Sequence, residues 1–259
     1  MTEPHSSTAL DHETETAGLR VERRSLLWIP VALAGASVLT GRPALAASRA
    51  EAEEQLGPGE LAPLAWDEFT QRWQALAKEL SGGTTDLDAR YAARLVAEIA
   101  RVPFAALPKL ENGKSRNGLT AGPSWFIAPV VTVEFKLEPG AELRLHNHPP
   151  QVVVTLCVEG EASYRHFEVE GEAPACDSDS KDEFRVRATR EGVLRPGQTT
   201  ALTRLRDGIH GFQASEKGAR TIDFTISLSE SKAFSYVGLD DTPIDAKRRV
   251  HKARWLGRD

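Results

Sequence analysis

The segment Gly140-Ala-Glu-Leu-Arg-Leu-His146-Asn-His148-Pro-Pro-Gln151 constrains this chain more than any other. It runs on through Val152-Val-Val-Thr-Leu-Cys-Val158 to Glu159-Gly160. Two histidines one residue apart on an extended segment point the same way, because side chains alternate across a strand. Two imidazoles on one face can share a metal ion. The proline pair bends the chain, since proline fixes φ and gives no ladder hydrogen bond. A β-branched apolar run follows and ends at a glycine turn. A chain built around such a segment has to be organised as a β-sheet.

The rest of the sequence is consistent with that. From Ser124 onward the apolar period is 2: Val131, Val133, Phe135 and Leu137 alternate with Thr132, Glu134 and Lys136. Pro139-Gly140 turns the chain into the His-x-His strand. Further strands are expected at 161–170, 183–189, 199–205, 210–214 and 220–228. Turns are expected at Gly160, Pro196-Gly197, Asp207-Gly208 and Lys217-Gly218. Many short strands between turn signals predict an all-β barrel or sandwich, here a jelly roll. Two helices come first. Trp66, Phe69, Trp73, Leu76 and Leu80 fall on one helical face, and Leu87, Tyr91, Leu95, Ile99 and Val102 on another, as core-facing stripes do.

Residues 1–46 read as an export signal. Arg23-Arg24 precedes the apolar run Leu26–Leu39, which is short for a bilayer span, and Ala44-Leu45-Ala46 supplies a small-x-small cleavage pattern. The arrangement resembles twin-arginine signals, so the twin-arginine export machinery is the expected partner. The expected location is periplasmic or secreted, with no stable membrane insertion after cleavage. Residues 47–110 are then a linker and the N-terminal helices, 111–240 the barrel, and 241–259 a tail. That tail holds six Lys or Arg between Lys247 and Arg258 and reads as a solvated helix face. A formal charge of −5 gives no reason to expect nucleic acid. Two cysteines, Cys157 and Cys176, make no disulfide framework, although an exported pair could bond. A third metal ligand should come from late in the barrel. His210, opening a strand, is the candidate, and His166, on a polar strand face, competes with it. His5 and His12 lie in the signal, and His251 lies in the tail.

The spacing Gly140, His146, His148, Gly160 matches the first cupin motif, G-x5-H-x-H-x4-E-x6-G, at every fixed position but one. Val153 stands where the motif has Glu. Replacing that carboxylate leaves a neutral three-histidine site with more open coordination positions. Within the cupins, three segments resemble the thiol dioxygenase branch, which includes the cysteine dioxygenases and the cysteamine and plant cysteine oxidases. They are Leu143–Pro149, Asp207-Gly-Ile-His-Gly-Phe212 and Thr221-Ile-Asp-Phe-Thr-Ile-Ser-Leu228. The likeness covers roughly residues 116–236. It implies a non-haem Fe(II) on His146, His148 and His210. It further implies an acidic residue at Asp223, a substrate-carboxylate arginine at Arg116 and a late tyrosine near the metal at Tyr236.

Such a site suits one kind of chemistry. A neutral three-histidine face leaves room for a thiolate and for O2 side by side, and proximity replaces a bimolecular encounter. A small-molecule thiol would become a sulfinate. Two other classes share these features: a different three-histidine cupin oxygenase, of the diketone-cleaving type, and a non-catalytic cupin that binds a small ligand.

Overall fold

The computed structural model describes residues 62–148, 150–176, 182–204, 206–228 and 234–257. Among these, no helix is long and apolar enough to cross a membrane. The expected signal, including Arg23-Arg24, lies outside the described residues.

Two helices open the described chain, α1 (Trp66–Ser81) and α2 (Asp88–Ile99). Asp67 and Glu68 sit in the first turn of α1, where negative charge complements the helix dipole. The apolar stripes of both helices are buried: Phe69, Trp73 and Leu80 on α1, Leu95 and Ile99 on α2.

Ten strands follow. They are β1 (Lys114–Arg116), β2 (Leu119–Ile127), β3 (Val130–Leu137), β4 (Glu142–Asn147), β5 (Gln151–Val169), β6 (Phe184–Leu194), β7 (Thr199–Leu202), β8 (Ile209–Ser227), β9 (Tyr236–Leu239) and β10 (Val250–Gly257). Their order is β1-β2-β3-β8-β4-β9-β10-β6-β5-β7, and a further β8–β5 pairing closes the ring. All pairings are antiparallel. The result is a mainly β, closed antiparallel jelly-roll barrel, preceded by two short helices.

Two long strands carry the architecture. β5 and β8 pair from Gln151↔Ser227 to Phe167↔Ile209, with irregularities around Cys157/Glu159 and Gly160/Ala162. The sequence reading ended strands at Gly160 and at Lys217-Gly218. Both positions are bends inside continuous strands instead. Gly160 and Gly218 have φ of +68° and +72°, so each admits a local kink while pairing resumes beyond it. The bend lets one strand pair serve two faces of the barrel. The halves 151–158 and 219–227 pair with β7 and β3, and the halves 162–167 and 209–213 with β6 and β4.

Three apolar clusters set the layers. The first joins both helices to Val152, Val154, Leu156, Ile222, Phe224 and Ile226. By alternation, Val153, Thr155, Asp223 and Thr225 face the other way, into the barrel. Thr132 and Glu134, expected on a polar face, are buried, Glu134 beneath the segment that follows the helices, where Leu110 N donates to it at 3.0 Å. Glu134 is held by Arg220 Nε at 2.9 Å and Nη2 at 3.1 Å. The second cluster, with Phe135, Leu143, Tyr164, Leu194 and Phe212, fills the interior at the bend. The third packs β9 and β10, through Val237 and Ala253, over Leu145, Phe167, Val186 and Ile209.

That third cluster corrects the reading of the basic tail. Residues 250–257 are not a helix face. They form β10, paired with β6 and β9, with Ala253 and Trp255 turned inward and Lys252 and Arg254 outward.

Candidate metal centre

β4 and β8 bring the candidate ligands together. His146 and His210 are direct partners in the ladder between them. A bulge makes this possible. Leu143 pairs with Phe212 but His146 with His210, so three steps on β4 match two on β8. The extra residue re-phases the strand, and both Leu143 and His146 face the interior. Gly211 lies opposite the bulge, where a Cβ would come within 3.0 Å of Leu143 O and Leu145 N. The backbone of His148 is fixed by a hydrogen bond from its N to Gly208 O, 2.9 Å.

The three Nε2 atoms converge. They are separated by 3.1 Å (His146–His148), 2.8 Å (His148–His210) and 3.2 Å (His210–His146). Among the described residues this is the one group of three or more His, Cys, Asp or Glu side chains able to share a metal ion.

The protons on these rings are decisive. His146 Nδ1 lies 2.8 Å from Arg144 O, and a carbonyl can only accept. Nδ1 therefore carries the hydrogen and Nε2 is bare. His148 Nδ1 lies 2.9 Å from Gln151 Oε1, which leaves its Nε2 bare in the same way. His210 Nδ1 is buried and has no hydrogen-bond partner among the described residues. Burial holds His146 down to about 4 and His148 to about 3, the latter helped by the other imidazoles. Burial, then His146 and His148, lower His210 well below its ordinary value. All three rings are thus neutral at neutral pH. Lone pairs of neutral rings 3 Å apart repel unless a cation lies among them, so the donor set fits a metal ion.

The other expected site residues are placed as follows. Tyr236 pairs with His146, and their rings are 6.4 Å apart between centroids. Phe234 packs 5.5 Å from the His146 ring, and the Arg144 guanidinium lies 4.4 Å over the Tyr236 ring. Asp223 is fully buried in the interior face of β8. It accepts a 2.5 Å hydrogen bond from Thr155 Oγ1, and burial pushes it up to about 7. It does not bond a ligand histidine. Arg116 lies on the exposed edge strand β1. The structure does not bring it to the triad, because the β1–β2 hairpin extends the sheet outward from β3.

His166 is directly opposite His210 but stays outside the triad. Its Nε2 is 3.3 Å from Thr200 Oγ1, and its Nδ1 is 3.7 Å from Asp207 Oδ2. Cys157 and Cys176 do not form a disulfide with each other. Burial raises the Cys157 thiol to about 11, so it stays protonated and unreactive. The sequence reading missed Gln151 and Arg144. Gln151 had a signal: it shares the interior face with Val153 and opens an otherwise apolar run.

No family model and no curated protein matches the chain. Solved structures do. KdgF from Halomonas sp. is 19% identical over 47% of this chain and 88% of its own, with a TM-score of 0.32. An RmlC-like cupin from Shewanella frigidimarina NCIMB 400 is 22% identical over 46% of this chain and 83% of its own, with a TM-score of 0.31. Oxalate oxidase in complex with the substrate analogue glycolate is 17% identical over 52% of this chain and 64% of its own, with a TM-score of 0.35.

Proposed function

We propose that this chain is a non-haem Fe(II) dioxygenase that uses O2 to oxidise a small thiol, cysteine-like or cysteamine-like, to its sulfinate. The observation that carries the reading is the convergence of three neutral imidazoles with no carboxylate among them. Ferrous iron, when held by His146, His148 and His210, supplies the redox chemistry that lets O2 react with a thiolate. The chain's own residues do the rest. Three neutral donors leave the iron's full positive charge to attract an anionic sulfur. Val153, fully buried and paired with Thr225 and Leu202, puts methyl groups where a carboxylate would compete for the metal. The apolar cluster behind the triad keeps water from that end of the barrel.

Tyr236 and Asp223 are the catalytic residues we propose. Tyr236 stands beside His146, where a phenol can give or take a proton at bound substrate. Asp223 offers the interior a carboxyl group for a substrate amine. The guanidinium over the Tyr236 ring is that of Arg144, whereas Arg116 lies on the exposed edge strand β1.

The test is anaerobic loading with Fe(II), then a pulse of O2 with cysteine, cysteamine, 3-mercaptopropionate or a peptide with an N-terminal cysteine. Each product is read by mass. A gain of two oxygen atoms on one thiol is expected. Iron-loaded protein that consumes no O2 with any thiol, yet cleaves a diketone or binds a ligand unchanged, would move the assignment to one of those classes.

Export is proposed alongside this activity, on Arg23-Arg24, the apolar run and Ala44-Leu45-Ala46. Replacing both arginines by lysine should hold the precursor in the cytoplasm, read by fractionation. Undiminished export of that double variant would sink the twin-arginine route.

A further inference from the structure

Gln151 stands at the start of β5, three residues after His148 and directly opposite Ser227 of β8. Both polar ends of its amide are used. Oε1 lies 2.9 Å from His148 Nδ1, and Nε2 donates to Ser227 Oγ at 3.1 Å. The convergence of the three Nε2 atoms fixes the amide: His148 Nε2 must be bare to hold a cation, so its Nδ1 carries the hydrogen and Gln151 turns Oε1 to it, which leaves the amide nitrogen to donate to Ser227. Ser227 is itself held, its N donating to Pro129 O at 3.0 Å. His148 is thus the one ligand oriented by a side chain. His146 is oriented by a backbone carbonyl, and His210 Nδ1 has no partner among the described residues.

The chemical choice at this position is informative. The acceptor behind a metal-bound imidazole is often a carboxylate, which raises the ring's donor strength and adds a negative charge near the metal. Here it is a neutral amide. With Val153 on the same face of β5, both polar-capable positions of that strand near the triad are uncharged.

We propose that Gln151 is a positioning residue with two effects. It locks His148 in the tautomer whose Nε2 faces the triad, and by staying neutral it preserves the site's net positive charge for an anionic ligand. This rests on the metal-site reading and deepens the thiol proposal, since a thiolate is such a ligand. A carboxylate at 151 would bind the metal more tightly but disfavour the anion. An apolar residue would leave the His148 N–H without its acceptor, and the ring free to turn.

The experiment uses the full chain and Co(II), whose visible absorption reports ligand geometry without O2 or substrate. Parent, Gln151→Glu and Gln151→Leu proteins are titrated with Co(II), and each Co(II) form is then titrated with azide. Thermal melts of the metal-free proteins check folding. The proposal expects Gln151→Leu to lose tenfold or more in Co(II) affinity with a shifted spectrum. It expects Gln151→Glu to bind Co(II) at least as tightly as the parent and azide at least fivefold more weakly. It is overturned if Gln151→Leu binds Co(II) within twofold of the parent with an unchanged spectrum. Equal azide affinity in the parent and Gln151→Glu overturns it too. A parent that binds Co(II) and azide with this dependence on residue 151, yet oxidises no thiol, would sink the thiol reading and leave the role of Gln151 standing.

Discussion

His210 and His166 face each other across the β5–β8 ladder, and only His210 turns its Nε2 to the other two histidines. The difference lies in their partners. Thr200 engages His166 Nε2, and Asp207 stands near its Nδ1. His210→Ala should abolish stoichiometric metal binding, whereas His166→Ala should keep it, read by elemental analysis of dialysed protein. Equal loss in both would put the third ligand in the wrong place. A second residue-scale prediction concerns Asp223. Its folded pKa of about 7 lies above its ordinary value of 3.8, so between these pH values the folded chain holds a proton that the unfolded chain has released. Its contribution to stability is full below about pH 4 and is lost as pH rises to about 7. Asp223→Asn keeps an acceptor for Thr155. It should match the parent near pH 4 and exceed it at pH 8 by up to ~4 kcal/mol, from the size of the shift. Urea midpoints at the two pH values decide it, and a pH-independent difference would refute the buried-carboxyl account. His146, His148 and His210 were legible from spacing and strand position. Gln151 carried a local signal, a polar residue opening an apolar run three positions after His148, whereas Arg144 had none, because its contact is with the ring of Tyr236 on a strand distant in sequence.

Among the elements, β5 and β8 matter most, and here the sequence reading divided what the chain keeps whole. Glycine and charge at Gly160 and Lys217-Gly218 look like turn signals, and a turn and a bulge use the same residues. What separates them is pairing on the far side, which is a non-local fact. Gly160 is especially confined: its φ is positive, and a methyl there would run into Gly218 O. Gly160→Ala should cost about 2 kcal/mol or more from backbone strain and that collision, measured as a lower denaturant midpoint with an unchanged slope. A cost near zero would mean that the bend does not depend on this contact. β10 was missed for another reason. Its basic residues drew the reading to charge, yet Lys252 and Arg254 against Ala253 and Trp255 is a period-2 strand pattern.

At the scale of the whole molecule, the layers run from helices to one barrel face, then the histidine-lined interior, the opposite face, and β9–β10 outside it. One ion pair ties the helical layer to the segment leading toward His210. Arg204 grips Asp88 at the start of α2 with 2.6 Å and 2.9 Å contacts, and the two side chains are 6% and 1% exposed. Asp88→Ala leaves that guanidinium buried and uncompensated, and should destabilise the fold by about 3 kcal/mol in a thermal or denaturant melt. Replacing both by apolar residues should restore most of the loss, and a loss equal to the single variant's would show that the charge itself is not the issue. The bulge-phased register of β4 against β8 also has a consequence in time. Sixty-two residues separate His148 from His210. At ordinary rates of synthesis, roughly 3 to 12 s pass between the appearance of the second histidine and the third. For that interval the nascent chain carries only a two-histidine fragment of the centre. The order of translation thus sets the earliest moment at which the complete centre can capture a metal, and the pairing of β4 with β8 must follow it.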